Sequence, residues 1–213
     1  MSDQASNGRK RLLMLIGGAS GSGKTTIAKN LVGQVSREIG AIHLSMDDWY
    51  PDNSHLSFED RCKLNFDDPK IFDYDLLYRQ LADLKRGRRI DKPIYSFEEH
   101  TRTDNVLEVE PCDLIILEGI YALFDPRIVK LADYAYFVDT PIEECVIRRM
   151  ERDIAERGRD LKEVSGRLRR DVIPAYHKHV KLTANNAPYR IDWKEGHHEV
   201  VMEGLVRLVR SYF

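Results

Sequence analysis

Cysteine, net charge and long apolar runs are all scarce in this chain of 213 residues. Its three cysteines, Cys62, Cys112 and Cys145, are widely spaced without a C-x-x-C pair, as expected for reduced thiols in a cytoplasmic protein. The formal net charge of −2 gives no general attraction to nucleic acid or to an anionic membrane. No apolar run approaches the roughly 20 residues that span a bilayer. Residues 1–10 are polar and lack the apolar segment of a signal peptide, so we expect a disordered N-terminal tail there.

The length and the order of the predicted elements indicate one α/β domain over residues 1–213. Short apolar runs typical of buried strands alternate with helical patterns, which favours a central parallel sheet with helices on both faces. The expected strands are 12–16, 41–44, 114–117 and 134–138, and the expected helices are about 74–86, 141–156, 160–182 (with a kink at Pro174) and 198–211. Residues 88–110 contain two short strand-like pieces that predict a small β-hairpin.

A glycine-rich turn follows the first predicted strand and fits the P-loop pattern G-x-x-x-x-G-K-[ST]. The strand before it and the amphipathic helix after it are the context that this motif requires. Its backbone N–H groups would bind phosphate oxygens, Lys24 would reach the β- and γ-phosphates, and the Thr25 hydroxyl would ligate Mg²⁺. The residues expected to bind nucleotide are Gly18, Ala19, Ser20, Gly21, Ser22, Gly23, Lys24, Thr25 and Thr26. The sequence therefore predicts binding of a nucleoside triphosphate.

Acidic residues follow two of the predicted strands, beside the mouth of the P-loop. Asp47 would take a proton from an attacking hydroxyl and help to hold Mg²⁺, although the adjacent Asp48 is a rival for this role. An acid at this point is also a common turn former or helix cap. Glu118 ends an apolar strand, where a buried carboxylate needs a cation or a hydrogen-bonding partner. Such an acid beside a phosphate loop typically engages Mg²⁺ or its waters, and the alternative is a structural cap.

Closely spaced arginines in the second half of the chain predict a lid over the phosphates. Arg149 and Arg152 are three residues apart and so share a helix face. Gly158 would interrupt this helix and let the neighbouring arginines turn toward the phosphates. Phosphoryl transfer needs cations that neutralise the moving group and exclude water. We expect the lid at about 152–170, with Arg152, Arg157 and Arg159 as its catalytic cations.

Several short motifs resemble those of the uridine–cytidine kinases, in the uridine kinase/phosphoribulokinase-like group of P-loop kinases. They are the P-loop, SxDxxY at 45–50, NFDDP at 65–69, PIYSF at 93–97 with His100 and Arg102, LEGI at 117–120 and RDIAERGRD at 152–160. The motifs follow the family's order over residues 12–160, about two-thirds of the chain, and together they are far more specific than the P-loop alone. The resemblance implies a three-layer P-loop NTPase-type fold with a hairpin insertion and an arginine-rich lid.

The resemblance also implies an activity, which is ATP-dependent phosphorylation of the 5′-hydroxyl of uridine or cytidine in pyrimidine salvage. It assigns Asp47 as the general base and places Thr25, Asp47 and Glu118 in the environment of Mg²⁺. The expected partner is a small nucleoside acceptor, with neither nucleic acid nor membrane involved. Related kinases are commonly homo-oligomers, and the sequence leaves the oligomeric state open.

The resemblance further implies how the acceptor is held. Asp67 would bind the ribose hydroxyls. Tyr95, Phe97 and His100 would form the base pocket, with His100 reading the pyrimidine edge, because aromatic rings stack on a base and an imidazole can donate to a carbonyl. The arginines that would contact the sugar or the phosphates are Arg149, Arg152, Arg157 and Arg159.

Two departures from the family pattern leave the choice of substrates open. Arg167 stands where the family usually carries a glutamine, and it places a positive charge at the expected acceptor pocket. Residues 192–198, DWKEGHH, replace a PRG signature that normally lies near the adenine. One alternative is therefore a sister kinase for another, anionic hydroxyl acceptor of the phosphoribulose, pantothenate or nicotinamide riboside type. The other is a nucleotide-binding regulatory protein, in which the acids and the lid arginines would have no explanation.

Overall fold

A parallel five-stranded sheet is the centre of the fold in this computed structural model, which describes residues 10–156 and 158–213. The strands, in chain order, are β1 (Leu12–Gly18), β2 (Ala41–Ser45), β3 (Ile90–Ser96), β4 (Thr101–Val109), β5 (Leu114–Glu118), β6 (Tyr134–Val138) and β7 (Tyr189–Ile191). The central sheet has the order β2-β5-β1-β6-β7, and β3 and β4 form a separate antiparallel hairpin. The predicted strands and the hairpin are confirmed. The sequence does not predict β7, because three residues are too few for a periodic pattern.

Helices connect these strands. They are α1 (Lys24–Val35), α2 (Phe58–Cys62), α3 (Tyr74–Lys85), α4 (Pro126–Leu131), α5 (Ile142–Ala155), α6 (Leu161–Arg167), α7 (Ile173–Ala175), α8 (Lys181–Thr183) and α9 (His198–Tyr212). Two π-helical turns, Leu168–Val172 and Tyr176–Val180, join α6, α7 and α8 on either side of Pro174. Proline has no N–H to donate and crowds the preceding turn, so the predicted helix 160–182 is present but locally widened. Residues 1–9, in the expected tail, and Arg157 lie outside the described residues.

Alternate residues of β1 pack into two separate cores, which is why the sheet needs helices on both faces. Leu13 and Leu15 are buried with α3 and α4 on one side. Leu12, Met14 and Ile16 are buried with α1 and α9 on the other. Each fully buried side chain of this size stabilises the fold by about 1.5–3 kcal/mol, because its apolar surface is removed from water. The predicted three-layer α/β architecture is therefore confirmed.

The strand register brings the expected functional segments together. Glu118, at the end of β5, is level with Ser45 of β2 and with Ile16 of β1. The P-loop follows β1, and a 3-10 turn over Met46–Trp49 follows β2. Because parallel strands end at the same edge of a sheet, the P-loop and both acidic segments meet at one place.

Candidate active site

The P-loop curves around its own lysine. Lys24 is 6% exposed, and its Nζ donates a hydrogen bond to the Ala19 carbonyl over 2.7 Å. Burial lowers the pKa of Lys24, and the negative charges of Glu118 and Asp47 act against that effect. A buried ammonium beside two carboxylates is an arrangement that can bind a polyphosphate and its cation. The three charged groups predicted from separate motifs therefore lie close together.

Gly21→Ala is expected to damage this loop. Gly21 has a φ of 87°, and a Cβ on it would lie 2.3 Å from the backbone oxygen of Cys145. A left-handed conformation alone costs a non-glycine residue about 1–2 kcal/mol, and relief of the clash requires a backbone shift. We expect the free energy of unfolding in urea to fall by at least ~1–2 kcal/mol and ATP to bind more weakly by titration calorimetry.

Gly33→Ala in α1 is the matched control, since a Cβ there meets nothing within 4 Å. Alanine is the better helix former by about 1 kcal/mol, so this variant should be as stable as the parent protein or more so. Equal losses in the two variants would contradict a special conformational requirement at Gly21.

Two side chains contact Glu118 at the base of the site. The Thr25 hydroxyl donates to Glu118 Oε1 over 3.0 Å, and His43 Nε2 of β2 lies 3.4 Å from the same oxygen. Burial acts to raise the pKa of Glu118, but His43, Lys24 and Thr25 outweigh it and leave the pKa below its usual value. Glu118 is therefore ionised at neutral pH. His43 was not expected here from the sequence, because its proximity depends on the pairing of β2 with β5.

Asp47 and Asp48 have different surroundings although they are adjacent. The Tyr50 hydroxyl donates to Asp47 Oδ1 over 3.2 Å, and the Asp47 carboxylate faces the cavity described below. Asp48 Oδ2 instead accepts from Lys92 Nζ of β3 over 2.6 Å. The 3-10 turn separates the two side chains, and Ser45 Oγ caps it by accepting from the Asp47 N–H. This geometry favours Asp47 over its rival Asp48 as the acid that meets an acceptor.

A cavity of about 530 Å³ opens in front of the P-loop and the acidic turn. This volume lies within the ~300–1,000 Å³ range of small-molecule sites. Its walls are formed by Ser20, Asp47, Tyr50, Leu64, Phe66, Asp67, Phe97, Glu98, His100, Ile120, Arg149, Arg152, Arg159, Arg167 and Asp171. Most of the expected catalytic and acceptor-binding residues therefore share one cavity.

Asp67 and Arg149 form a buried bidentate pair on one wall. Arg149 Nη1 and Nη2 donate to the two Asp67 oxygens over 2.8 and 3.2 Å. The Tyr121 hydroxyl donates to the Asp67 carbonyl over 2.5 Å and so holds the segment in place. Burial lowers the pKa of Arg149, but the Asp67 charge outweighs this and raises it overall. The pair fixes the direction of the Asp67 carboxylate, which still lines the cavity.

Three arginines surround the buried carboxylate of Asp153 near the end of α5. Asp153 Oδ1 accepts from Arg152 Nη2 over 3.1 Å, and Asp153 Oδ2 lies 3.7 Å from Arg149 Nε and 3.9 Å from Arg159 Nη1. The chain reverses at Gly158, whose φ is 62°, and the Arg159 N–H donates to the Asp153 carbonyl. Arg159 lines the cavity after this turn, and its approach to the phosphates stays a prediction. The sequence did not single out Asp153.

Aromatic rings form another part of the cavity lining, the aromatic wall. Phe66 packs against Tyr50 with ring centroids 5.1 Å apart and against His100 at 5.4 Å. Phe97 is 56% exposed at the cavity edge. The expected base-pocket residue Tyr95 is buried behind this wall, with its ring 5.0 Å from Tyr50 and 5.3 Å from Phe97, and does not line the cavity. The register of β3 shifts between Pro93 and Tyr95, and Tyr95 supports the aromatic wall from behind.

Arg167 lines the cavity as expected, and it forms an ion pair that the sequence did not predict. Its Nε is 3.0 Å from Glu163 Oε1, one turn earlier in α6, so it forms an ion pair within the helix. Burial lowers the pKa of His100, and the positive charges of Arg167, Arg159 and Arg61 lower it further. His100 is therefore neutral at pH 7.

The atypical segment 192–198 contacts the P-loop. A Cβ on Gly23, which caps α1, would lie 2.3 Å from Trp193 Cδ1, so the indole packs directly on the loop backbone. His198 stacks on Trp193 with centroids 4.0 Å apart and an interplanar angle of 20°. The segment therefore packs against the phosphate-binding loop, and its position relative to the adenine stays a prediction.

Two absences apply to residues 10–156 and 158–213. These residues contain no group of three or more His, Cys, Asp or Glu side chains arranged to hold a metal ion. They also contain no helix that is long and apolar enough to cross a membrane. The first finding is compatible with Mg²⁺, which is commonly bound by one or two carboxylates together with substrate phosphates and waters.

Comparison with known proteins gives consistent matches. The chain matches the phosphoribulokinase/uridine kinase family over residues 13–205. A uridine kinase of Histophilus somni is 44% identical over 179 residues, which cover 83% of this chain and 82% of the relative. A uridine kinase of Ligilactobacillus salivarius is 40% identical over 207 residues, covering 97% of this chain and 96% of the relative.

Solved structures agree with these matches at the level of the fold. A Silicibacter protein described as a fructose transport system kinase superposes with a TM-score of 0.73 at 24% identity, covering 91% of this chain and 93% of its own. At this identity the likeness supports the fold alone. The family match and the relatives together span nearly the whole sequence. The chain therefore belongs to the phosphoribulokinase/uridine kinase family.

Proposed function

We propose that the protein transfers the γ-phosphoryl group of ATP to the 5′-hydroxyl of uridine or cytidine. The observation that carries this proposal is the cavity that Ser20 of the P-loop, Asp47, Asp67 and the aromatic wall line together. Relatives named uridine kinase at 37–44% identity support the same acceptor class. They do not favour the sister-kinase alternative or the purely regulatory one.

The proposed roles follow from chemistry at each wall. Asp47 accepts the proton of the acceptor hydroxyl, and its hydrogen bond from Tyr50 keeps its carboxylate in one orientation. Asp67, aligned by Arg149, accepts hydrogen bonds from the ribose hydroxyls. Phe97 and Phe66 stack on the base, and neutral His100 reads its edge. Lys24, Arg152 and Arg159 stabilise charge on the transferred group. We assign the same role to Arg157, by its place in the motif.

Mg²⁺ is the proposed cofactor beside ATP. Thr25, Asp47 and Glu118 offer a hydroxyl and two carboxylates, the oxygen ligands that a hard divalent cation prefers. Glu118 is ionised, buried and already within 3.0 Å of the Thr25 hydroxyl, which fits this assignment. When bound, the ion would neutralise charge between the β- and γ-phosphates. The P-loop residues Gly18–Thr26 would hold the triphosphate itself.

A coupled assay of ADP formation tests the proposal. The protein is given Mg·ATP with uridine, with cytidine or with no acceptor. Turnover that depends on a pyrimidine nucleoside is the expected result. Equal ADP formation in all three reactions, despite measurable ATP binding, would contradict nucleoside phosphorylation and direct attention to phosphoribulose- or pantothenate-like acceptors.

Arg167→Gln is expected to change both the electrostatics and the base preference of the pocket. Removing this cation should raise the pKa of His100 toward its usual value, as followed by NMR titration of the imidazole. A guanidinium only donates hydrogen bonds, so it favours the 4-carbonyl of uracil over the 4-amino group of cytosine. We expect the ratio of kcat/KM for uridine over cytidine to fall about tenfold, the value of one hydrogen bond to a charged group.

Arg169→Gln provides the control for this variant, because Arg169 is exposed two residues farther along the same helical segment. It should leave both the His100 titration and the uridine-to-cytidine ratio unchanged. If Arg167→Gln moves the titration but not the ratio, Arg167 acts on His100 without reading the base.

Other features of the proposal rest on the sequence. We propose that residues 1–213 form one kinase domain in which the hairpin at 88–110 helps to bind the acceptor and the segment 152–170 acts as the lid. Free thiols at Cys62, Cys112 and Cys145 agree with the predicted cytoplasmic location. The expectation of a homo-oligomer comes from the resemblance alone.

A further inference from the structure

A partly buried ion pair joins the hairpin to the acidic turn, and the proposed chemistry does not use it. Lys92 Nζ donates to Asp48 Oδ2 over 2.6 Å, and Lys92 is 8% exposed. Lys92 lies in β3 on the buried side with Ile90, at a position where the alternation of the strand calls for an apolar residue. Removing an ammonium from water is costly, and a buried ion pair is often no more stabilising than apolar side chains of similar size. The pair is therefore better explained by what it positions than by stability.

The two ends of the pair lie next to different parts of the cavity. Asp48 directly follows Asp47 within the 3-10 turn Met46–Trp49. Lys92 lies in β3. The chain that follows β3 contains Phe97 and His100, which line the cavity at the aromatic wall. The pair is thus a direct side-chain link between the turn that presents the base Asp47 and the hairpin that presents the acceptor pocket.

Further contacts make this link stiff. The Lys92 ammonium lies 5.8 Å from the centre of the Trp49 ring, and Trp49 Nε1 donates to Gln80 Oε1 over 2.8 Å. Gln80 Nε2 in turn donates to the carbonyl of Asp91, the neighbour of Lys92 in β3, over 2.7 Å. The turn and the hairpin are therefore connected by charge and through α3, and Arg102 Nη2 of β4 also donates to the Trp49 carbonyl over 3.4 Å.

We propose that Asp48 and Lys92 are positioning residues that hold Asp47 in register with the acceptor pocket. This inference rests on the proposed function. A displacement of about 1 Å between a base and its substrate can lower a rate as much as ~100-fold. Loss of the link should therefore lower acceptor phosphorylation, while the P-loop, which the pair does not touch, should keep its affinity for ATP.

The test compares Lys92→Met, Asp48→Ala and the double variant in the full chain. Each single change is expected to lower kcat with uridine at least tenfold, with the KM for ATP within about twofold of the parent value. Because both changes break the same link, the double variant should lose no more than either single variant. Losses that multiply in the double variant would overturn a shared role, and a loss in Asp48→Ala alone would point to Asp48 itself as the base.

Hydrogen exchange supplies a readout that needs no acceptor. Lys92→Met should accelerate amide exchange in residues 46–50 as well as in β3, and Lys92→Arg should keep exchange and kcat near those of the parent protein. A lower melting temperature with unchanged kcat and unchanged exchange at 46–50 would reduce the pair to a structural role.

Lys85→Met is the matched control. Lys85 Nζ forms a similar partly buried pair with Asp133 Oδ2, 2.8 Å away and outside the cavity walls. It should lower stability without changing kcat. The parent protein's turnover with uridine tests the proposed function separately, because the inference is judged from the ratios of variant to parent and from the exchange data.

Discussion

Asp47→Asn should reduce turnover by about 10²–10⁴-fold, the range for loss of a positioned general base. The amide keeps the size of the side chain and can still accept the hydrogen bond from Tyr50, but it cannot take a proton from the acceptor hydroxyl. ATP binding should survive, since the P-loop supplies the contacts to the triphosphate. The measurements are kcat in the coupled assay and the Kd for ATP by titration calorimetry.

Asp104→Asn serves as the control for this substitution, because Asp104 is an exposed carboxylate on β4. Asp104→Asn should leave kcat and the Kd for ATP unchanged. Turnover near the parent value in Asp47→Asn would remove Asp47 from the role of base. A large loss of ATP affinity would instead indicate that the main task of Asp47 is to hold the metal–nucleotide complex.

Arg149→Met should be the most destabilising change in α5. It leaves the buried Asp67 carboxylate without its bidentate partner and removes a charge close to Asp153. Breaking a buried pair from one side costs about 3–5 kcal/mol, because the remaining charge is buried without compensation. We expect the free energy of unfolding in urea to fall by that amount. The KM for uridine should rise as well, since Asp67 is no longer held in one orientation.

Arg148 is the natural comparison, being adjacent in α5. It pairs with Glu144 on the helix surface, where an i,i+4 pair contributes only about 0.3–0.5 kcal/mol. Arg148→Met should therefore change stability and KM little. Similar urea midpoints for the two variants would mean that the Asp67–Arg149 pair is not energetically important. If Arg149→Met is too unstable to assay, Arg149→Lys keeps the charge and loses only the bidentate geometry.

Features encoded by neighbouring residues could be predicted from the sequence. The P-loop is contiguous in the sequence. The apolar runs of β1 and β5 indicate strands that are buried on both faces. The position of Glu118 at a strand end then follows, because parallel strands finish at the same edge of a sheet. The resemblance to known kinases added Asp67 and His100, and the structure brings both to the cavity.

Pairings between distant residues could not be predicted. Lys92 and Asp48 are 44 residues apart, and Arg149 and Asp67 are 82 apart. Such partners depend on strand order and register, for which no local pattern exists. The same reason explains why His43, beside Glu118, was missed.

The sequence by itself determined the architecture, the phosphate-binding loop and the kinds of side chain available to the site. Only the tertiary structure decided which of two adjacent acids faces the cavity. It also decided that Tyr95 lies behind the aromatic wall and does not line the cavity. It also decided that Arg167 forms an ion pair with Glu163. Local propensity and periodicity depend on a few neighbouring residues. The direction and charge state of a side chain depend instead on all the groups that pack around it.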